Sequence, residues 1–570
     1  MNYRKCVIMC IIMLFFTSFF HAQVSVSPDD DFYSDATGWV LKGYVDSLPL
    51  IKPYPLNVIR SVLDAVVENG TEIDRRRAEF YIEKYFSKHF TASSRSAVDM
   101  RLKYIDSDDD EKNGMFETDA LFSEKIYLSG GRQFFPLFGA GYNTGFIVRN
   151  NTVGPELIIP RFSAGTDSSE LDVISVHTSK ADFIIDPNLI ATFGTEKLYL
   201  TLGVNKAGYG LFYDDGLILN PSAYQTLNTS FNYSGAHFSY AQQFGMMGAA
   251  DYSGDDRYAA GKFYSFHALE IPVPKIHLSF GLYESVVFAK PFMPAYIMPV
   301  PYFIIANVAG FNENVLSGFK IEWNPLPCFA LSADLLLDDF DVKDALKLHL
   351  NDASIRAGFK TGFVYSPLDS LCESIIVSYT LVTPYTYTKY NTVDDEYNYL
   401  DYTNCGRYFG TAVLPNSDHV SMTIRFKPWS NFRIGSTSSF TRHANAYESF
   451  SDEDVLSLSG QYKADGSINM DTNDIGSATD TTDFLKQDHI MYIMHASVFG
   501  EYEFVLKKFG RLTVSAEYTF EYIKNDGVDN AIFSGSYDTV EAVQADRKRW
   551  KDALSDSFNH YFTVGIKYSY

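Results

Sequence analysis

Cysteine and positive charge are both scarce in this chain. Five of its 570 residues are cysteines, and two of those lie before residue 22, which leaves Cys328, Cys372 and Cys405. Three cysteines so far apart give neither a disulfide framework nor a CxxC metal motif. The 47 Lys and Arg residues stand against 70 Asp and Glu residues, a net charge of −23 that argues against nucleic acid as a partner and against a basic membrane-binding patch.

Long apolar runs are also absent beyond residue 22, with one exception. The mean hydropathy of −0.11 is far too low for a helical membrane protein of this length. The exception is the uncharged stretch 292–311, but Pro294, Pro299 and Pro301 interrupt it and predict a loop followed by a strand. If the chain spans a membrane, it must therefore do so with strands.

Sequence motifs of catalysis are missing as well. There is no GxSxG elbow, no HExxH pair and no P-loop, and the glycine-rich run at 139–145 misses the GxGxxG spacing. A barrel esterase or protease assembles its Ser, His and Asp residues across strands, where sequence spacing gives no signal, so such an enzyme stays an alternative. We predict a protein that is not an enzyme and that has no cofactor.

The first 22 residues have the features of a secretory signal. Arg4 and Lys5 precede a mostly apolar run at 7–20, and Ala22 follows at a position suited to cleavage. This pattern predicts export and removal of residues 1–22, with an uncleaved membrane anchor as the alternative.

Residues 23–95 predict a small helical module. Apolar residues recur at helical spacing over 56–66, with Asn57 as a candidate cap and Gly70 as a stop signal. A second helix is predicted from about 74 to 90, and a short helix with a turn before both. Because about 70 residues bury little core by themselves, we expect this module to pack against the rest of the chain.

After residue 96 the period of the apolar residues changes to two. Val98, Met100 and Leu102 alternate with charged residues, a pattern typical of a strand between lipid and a watery lumen. The pattern recurs often enough for about 16 to 18 strands of about 10 residues each. We therefore predict an all-β transmembrane antiparallel β-barrel over 96–570, preceded by the helical module. A soluble double-layer β-protein or β-helix is the alternative.

The last strand carries a terminal aromatic pattern. Its alternate residues are aromatic or aliphatic, and the chain ends on one of them: Phe562, Val564, Ile566, Tyr568 and Tyr570. This ending resembles the signal that the outer-membrane assembly machinery recognises in its clients, which implies that machinery and the outer-membrane lipids as partners. Together with the secretory signal it predicts a location in the outer membrane of a diderm bacterium.

Connections of two lengths separate the predicted strands. Tight turns at 234–236 and 507–510 suit the periplasmic side of a barrel. The long polar segments 443–489 and 524–557 cannot lie in the membrane and are predicted to be extracellular.

Carboxylates at 106–117 form a candidate cation-binding tip. Asp106, Asp108 and Asp110, with Glu117 at the twelfth position, have the spacing of a calcium loop. Glu111 occupies the place of the glycine that the tight turn needs, and the flanking elements are strands. A solvated acidic hairpin tip, or loose binding of divalent ions, is therefore the alternative.

Two tyrosines and two histidines in strand-like segments have more than one interpretation. Tyr385 and Tyr387 follow Pro384 at a strand end rich in Thr and Tyr. Such aromatics form an interfacial girdle or, beside Asp and Asn, stack on sugar rings. His267 and His277 are predicted to be lumen or girdle residues rather than ligands.

Several segments together resemble the Wzi-type capsule-assembly family of outer-membrane barrels. The segment 40–55, followed by an amphipathic helix, is similar to that family's N-terminal helical segment. The run Gly-Val-Asn-Lys-Ala-Gly-Tyr-Gly at 203–210 and the segment 217–223 resemble its glycine-rich strand pair. Further matches follow in order at 266–270, 283–285, 336–340, 406–410 and 416–418. The residues that match the family's motifs are Gly203, Gly208, Gly210, His267 and Glu284.

The resemblance implies an 18-stranded barrel whose lumen is closed on the periplasmic side by a helical bundle, and an outer face that binds surface polysaccharide without catalysing a reaction. The predicted glycan ligands are Asp338, Asp339, Arg407 and Asp418 of the matched segments, together with Tyr385 and Tyr387. The chain is longer than expected for the family, chiefly at 443–489 and 524–557. A porin or transport channel plugged by the helical module is the alternative function.

Overall fold

The computed structural model describes most of the chain. The described residues are 25–28, 30–86, 90–107, 113–135, 137–152, 154–162, 175–210, 216–251, 257–289, 294–297, 313–340, 355–368, 370–389, 396–429, 431–457, 484–506, 509–530 and 537–570. The secretory signal predicted at 1–22 lies outside them, as do Asp108 and Asp110 of the acidic tip. Among the described residues, no helix is both long and apolar enough to span a membrane.

Strands make up most of the described chain, and all but two of them belong to a single sheet. In chain order they are β1 (Phe90–Asp106), β2 (Phe116–Phe135), β3 (Phe138–Asn150), β4 (Ser175–His177), β5 (Ala181–Asp186), β6 (Leu189–Gly194), β7 (Leu198–Asn205), β8 (Thr226–Ser234), β9 (Ser239–Ala250), β10 (Tyr258–Val273), β11 (Leu278–Ala289), β12 (Asn314–Leu326), β13 (Phe329–Phe340), β14 (Ile355–Tyr365), β15 (Cys372–Val382), β16 (Thr403–Asn404), β17 (Arg407–Tyr408), β18 (Ser417–Trp429), β19 (Phe432–Ala444), β20 (Ile490–Val505), β21 (Arg511–Asp526) and β22 (Ser555–Ser569). The strands β16 and β17 pair only with each other.

The large sheet closes into a barrel because its last strand pairs with its first. β22 is antiparallel both to β21 and to β1, where Val564 lies opposite Val98. β5 and β6 both pair with β3 and form one interrupted wall strand, while β4 is a short addition to β5. The described strands thus form a closed antiparallel barrel with 18 wall strands. This confirms the predicted fold class and lies within the predicted strand number.

Side chains alternate between the two faces of the barrel wall. In β1, Val98, Met100 and Leu102 face outward and are 37%, 41% and 43% exposed. Arg101, between them, faces inward and is buried, with its Nε 2.9 Å from Oδ2 of Asp119. The alternation predicted from the sequence is therefore an alternation between the lipid-facing side and the lumen.

The closing strand follows the same rule. Val564, Ile566 and Tyr568 lie on the outward face and are all exposed, and Phe562 lies opposite Met100 on that face. Tyr570, just beyond β22, donates its backbone N–H to the carbonyl oxygen of Ala92 at 2.8 Å. The terminal aromatic pattern therefore borders the lipid-facing surface at the seam where the barrel closes.

Short and long connections lie at opposite ends of the barrel. The tight turns after β8 and β20 lie at the end that also carries both the start of β1 and the C-terminus, which we call the turn end. The long connections after β19 and β21 lie at the other end, the loop end. This division is the one that the sequence predicted for the two sides of a membrane.

Three helices precede the barrel: α1 (Asp31–Leu41), α2 (Leu56–Asn69) and α3 (Glu72–Phe86). α2 begins one residue before the predicted cap Asn57, with Pro55 at the cap position. α3 ends at Phe86 rather than near residue 90, because Phe90 already belongs to β1 and pairs with Gly130 of β2. The pairing of β1 with its neighbour thus decides where α3 ends. Helical periodicity in the sequence had predicted a longer helix that reached into β1. Two more helices lie in loops, α4 (Asp452–Ser457) and α5 (Val540–Asp552).

The three N-terminal helices form a small core that docks inside the turn end. Their buried side chains include Phe32, Trp39, Leu63 and Tyr81, and the same cluster takes in Tyr199 from the wall strand β7. The backbone N–H of the turn after β12 donates to the last turn of α1, from Cys328 to the carbonyl oxygen of Leu41 at 3.0 Å. The module therefore packs against the barrel, as its size required.

A buried ionic network fixes this docking. Oδ2 of Asp35 in α1 accepts from Arg77 of α3 at 2.9 Å and from the hydroxyl of Tyr81 at 2.5 Å, while Oδ1 accepts from Lys427 of β18 at 3.1 Å. Arg433 of β19 lies in the same network. Although burial raises it, the pKa of Asp35 lies well below its ordinary value because Lys427, Arg77 and Arg433 surround the carboxylate. Docking is thus most favourable with Asp35 ionised.

Replacing Asp35 by Asn tests the network. The substitution leaves three buried cations without their shared anion, so we expect the free energy of unfolding to fall by about 3–5 kcal/mol. Thermal unfolding and limited proteolysis of the helices in the folded barrel measure the effect. Asp64→Asn is the control, because the Arg60–Asp64 pair is 46% and 54% exposed and its loss should cost at most about 0.5 kcal/mol. Equal effects of the two substitutions would contradict a docking role for Asp35.

The network also predicts an acid limit to docking. Burial raises the pKa of Asp31 in α1, but Arg433 lowers it further, so both Asp31 and Asp35 have folded-state pKa values below that of an unfolded carboxyl. Their contribution is complete above about pH 5 and is lost as the pH falls through the lower folded values. We expect residues 30–86 to lose hydrogen-exchange protection in acid before the wall strands do. Unchanged protection of these helices between pH 6 and pH 2 would refute the linkage.

Candidate functional site

The described residues between β7 and β8, 206–210 and 216–225, fold into the lumen instead of forming a wall strand. Its residue Gly208 pairs with Lys52 of the helical module through two backbone hydrogen bonds of 3.0 and 3.3 Å. Further on, Leu217, Ile218 and Leu219 have no exposed surface at all. The segment 217–223, predicted as half of a glycine-rich strand pair, is therefore an internal plug, because its consecutive aliphatic side chains need burial on both sides.

Inward-facing wall residues surround this plug and form one apolar cluster with it, which we call the lumen core. Its buried members are Ile51, Ala207, Tyr209, Leu217, Ile218, Leu219, Ala223, Ala241, Met247, Tyr264, Phe266, Ala268, Tyr283, Val287, Leu316, Leu336, Val382, Tyr387, Tyr402, Phe409 and Val413. The wall members come from strands β9 to β13 and from β15. Barrels with water-filled lumens have polar interiors, so this side of the lumen is packed as a protein core is.

The motif glycines explain how the chain enters the lumen. A Cβ on Gly203 would lie 1.9 Å from the carbonyl oxygen of Leu189 on the neighbouring strand, so no larger residue fits there. Gly210 has a φ of 146°, a backbone conformation that side chains disfavour. Gly208 needs its small size for contact with Pro221, whose Cβ would lie 3.2 Å from an added Cβ. Gly203 thus serves the close pairing of β7 with β6, Gly208 the contact with the plug, and Gly210 the backbone turn between them.

Tyr385 and Tyr387 lie inside the protein rather than in a girdle or on an open surface. Tyr387 is fully buried, and its hydroxyl donates to the carbonyl oxygen of Leu217 at 2.6 Å. Its backbone N–H donates to Oδ2 of Asp338 at 2.5 Å. Tyr385 is 2% exposed and packs in a second cluster nearer the loop end. Stacking on a sugar requires an open ring face, and neither ring has one. Both rings are packing residues, because the strand end folds onto buried clusters instead of facing solvent.

The other predicted glycan ligands do not converge with these tyrosines into one site. The guanidinium of Arg407 lies 5.0 Å from the ring centre of Tyr224. Asp418 lies on the outward face of β18, where Arg442 donates to it at 2.9 and 2.5 Å. Asp339 belongs to β13 opposite Arg356, and its side chain lies outside the described part. Only Asp338 and Tyr387 are brought together.

His267 and Glu284 also face outward, not into the lumen. They lie opposite each other on β10 and β11, with Nε2 of His267 3.1 Å from Oε2 of Glu284. His277, in contrast, lines a cavity at the turn end. Of the proposed cation ligands, Asp106 ends β1. Within the described ranges no three His, Cys, Asp or Glu residues are placed to hold a metal ion.

The turn-end cavity has a volume of about 720 Å³ and lies between residues 46–54 of the module and the wall. Lys320 forms an ion pair with Glu270 there, and its ammonium lies 4.8 Å from the ring centre of Tyr209. Gly208 and Gly210 also line it. Tyr209 lines the cavity and also belongs to the lumen core, so the cavity borders that core from the turn end.

At the loop end, the described parts of the long connections, 445–457, 484–489, 527–530 and 537–554, are joined into a cap. Trp550 of α5 donates through its indole N–H to the carbonyl oxygen of Gly527 at 3.0 Å, and Asn445 donates to that of Val528 at 2.8 Å. An ion pair of 2.9 Å links Arg547 of α5 to Asp452 of α4. The opposite face of α5 is open to solvent, where the Arg549 side chain is 78% exposed. The cap therefore offers a rigid polar surface at the end of the barrel farthest from the module.

Sequence reasoning missed both the plug and the docking network. The only local signal for the plug was the run Leu217-Ile-Leu. A half-exposed strand alternates apolar with polar residues, and this run has no polar residue. The network left no signal, because Asp35 and Lys427 are 392 residues apart.

Tyr387→Phe tests whether this tyrosine is a packing residue. The change removes the donor to the buried carbonyl oxygen of Leu217, and we expect a loss of about 1–3 kcal/mol in the free energy of unfolding. Binding to polysaccharide should be unchanged. Tyr365→Phe, at a 39% exposed wall position, is the control for stability. A loss of polysaccharide retention with unchanged stability would instead make Tyr387 a glycan ligand.

Comparison with known proteins shows a similar fold in solved outer-membrane barrels. The structure is similar, over 95% of this chain and 99% of the other, to that of Wzi from Escherichia coli, described as an outer membrane protein involved in group 1 capsule assembly and a carbohydrate-binding β-barrel; the TM-score is 0.53 and the identity 10%. Two Pseudomonas aeruginosa structures, OccK2 (OpdF) and OpdL, cover 84% of this chain and 98% and 99% of their own, with TM-scores of 0.41 and identities of 9% and 8%. The sequence matches no protein-family model and no curated protein. The chain thus has the barrel fold of Wzi, as the sequence resemblance predicted.

Proposed function

We propose that this chain is a non-conducting outer-membrane barrel that binds surface polysaccharide at its loop end and catalyses no reaction. The observation that carries the proposal is the lumen core. A transport path needs a continuous column of water or a continuous set of ligand sites. Here the plug at 217–223 and the inward side chains of β9 to β13 and β15 fill that side of the lumen with apolar groups that are all at most 8% exposed.

The alternative, a channel plugged by the helical module, requires the module to be the main obstruction. Within the lumen core, Ile51 is the one buried member that the module contributes. The others belong to the wall or to the segments 207–223 and 387–413. Movement of the module would therefore leave the core in place, which favours a binding protein over a channel.

The loop end offers the surface for a ligand outside the cell. Its cap is held by buried hydrogen bonds and carries exposed polar residues on α5, among them Lys548 and Arg549. Lys548 and Arg549 are adjacent exposed cations on the outer side of α5, and such a local basic patch favours contact with an acidic polymer over a neutral one. The similar fold of Wzi, described as carbohydrate-binding, supports polysaccharide as the class of ligand.

The proposal includes a route to that location. Residues 1–22 would direct export, and the aromatic closing strand would be read by the outer-membrane assembly machinery. The exposed Val564, Ile566 and Tyr568 would then contact the outer-membrane lipids. No nucleic-acid partner is proposed.

The intact protein in planar bilayers separates the two functions. Under the proposal it shows negligible ion conductance and is retained on immobilised polygalacturonate more than on dextran, with retention that falls as salt rises. Steady conductance together with no retention on either polymer would establish the channel and refute the proposal.

A double substitution locates the binding surface. Lys548→Ala with Arg549→Ala should reduce retention on polygalacturonate, because both cations project from the cap. Arg75→Ala with Arg76→Ala is the matched control, since these arginines are 42% and 68% exposed on a helix at the turn end. Reduction by the control pair alone would move the binding surface to the turn end.

A further inference from the structure

One part of the outer wall is covered by the chain itself. The short helical turn Pro294–Ile297, which follows β11, lies against the outward face of β9, β10 and β11. We call it the wall segment. The ring of Tyr296 packs 4.7 Å from that of Phe288, and Val286 beside it has no exposed surface. Elsewhere on β11, Phe280 and Leu282 on the same outward face are exposed.

Two side chains of the wall hold the backbone of the wall segment. The hydroxyl of Ser265 donates to the carbonyl oxygen of Tyr296 at 2.5 Å, and the amide of Gln242 donates to that of Ile297 at 2.7 Å. Both donors are at outward positions, since Gln242 lies opposite Phe231 and Ser265 opposite Val286. Polar residues on a lipid-facing wall are costly unless they are bonded. These two find their acceptors in the wall segment.

A buried polar pair lies beside these anchors. Gln242 of β9, His267 of β10 and Glu284 of β11 form one row across three strands on the outward face. The side chains of the His267–Glu284 pair are only 3% and 15% exposed. Polar groups on a lipid-facing wall need partners and cover from lipid, and this pair lies in the same row as Gln242, which holds the wall segment.

The wall segment covers one end of a row of outward-facing apolar residues, and the other end of that row is exposed. Phe263 and Phe288, against which it packs, are in register with Met246, and Met246 in turn with Leu227. These last two are 38% and 49% exposed on the outside of the barrel. Ile297 points away from the wall and is itself 41% exposed, and residues 291–311 contain no charged side chain.

We propose that the wall segment is immersed in the bilayer, where its outer side contacts acyl chains and its carbonyl groups are held by Ser265 and Gln242. Irregular backbone exposed to lipid is otherwise excluded, because its carbonyl groups lack hydrogen-bond donors there. The two wall donors remove this obstacle. The lipid-contacting surface of the protein thus includes a non-strand element, whose partner is the hydrocarbon layer of the membrane.

Nitroxide labels on single cysteines test the immersion, in protein whose Cys328, Cys372 and Cys405 are replaced by serine. In phosphatidylcholine vesicles, a label at Ile297→Cys should be highly accessible to oxygen and poorly accessible to a water-soluble nickel chelate. We expect the same of a label at Leu282→Cys on the wall. A label at Lys180→Cys in an exposed loop-end turn is the aqueous control. Nickel accessibility at 297 equal to that at 180 overturns the proposal.

Photo-crosslinking checks the result in the unmodified protein. Vesicles with a diazirine on the acyl chain should give lipid adducts on the peptide that holds Ala295 and Ile297, as on that of Leu282, but not on residues 176–180. If lipid adducts formed on the peptide of Leu282 but not on that of Ala295 and Ile297, the immersion would be overturned, even if the labelled variants failed to fold.

A matched pair of serines tests the anchor. Ser265→Ala should increase the mobility of the label at 297, because it removes the donor to Tyr296. Ser317→Ala is the control, because Ser317 lies next in the row, opposite Glu284, and its hydroxyl has no hydrogen-bond partner among the described residues. Equal mobility in both variants refutes anchoring by Ser265.

Discussion

The antiparallel pairing of β22 with β1 is the interaction on which the rest of the structure depends. It removes the unpaired edges of the sheet, so the polar backbone groups of the wall are bonded within it, as a lipid environment requires. It also fixes which alternate residue of each strand faces inward. Because a barrel of 18 strands encloses more space than its inward side chains fill, the remaining chain must either occupy the lumen or leave it to water.

In this protein, segments far apart in sequence occupy it. The helical module docks at the turn end through Asp35, the plug at 217–223 lies in the middle, and the strand end at Tyr387 locks onto the plug through a hydrogen bond to Leu217. Each layer satisfies the polar groups of the next. A lumen filled in this way suits a protein that presents a surface at its loops, and it conflicts with passage of solutes through the packed side.

Polar pairs interrupt the apolar outward face of the described wall. Asp418 is paired with Arg442, and His267 with Glu284, on the side that faces lipid. The second pair adjoins Gln242, which anchors Pro294–Ile297 on the wall. Polar residues on such a wall are tolerated where another polar group or another part of the chain completes their bonding. The family-motif residues His267 and Glu284 therefore belong to the wall and not to a lumen site.

The sequence by itself determined the fold class, the helical module and the alternation of Val98, Met100 and Leu102, because strand and helix periods are local properties of the chain. It also predicted which connections are short and which are long. Only the tertiary structure decided that Tyr385 and Tyr387 are buried, that residues 217–223 fill the lumen and that Asp35 meets Lys427. Alternation shows which residues share a face, but contacts between segments hundreds of residues apart leave no period in the sequence, and those contacts decide what each face touches.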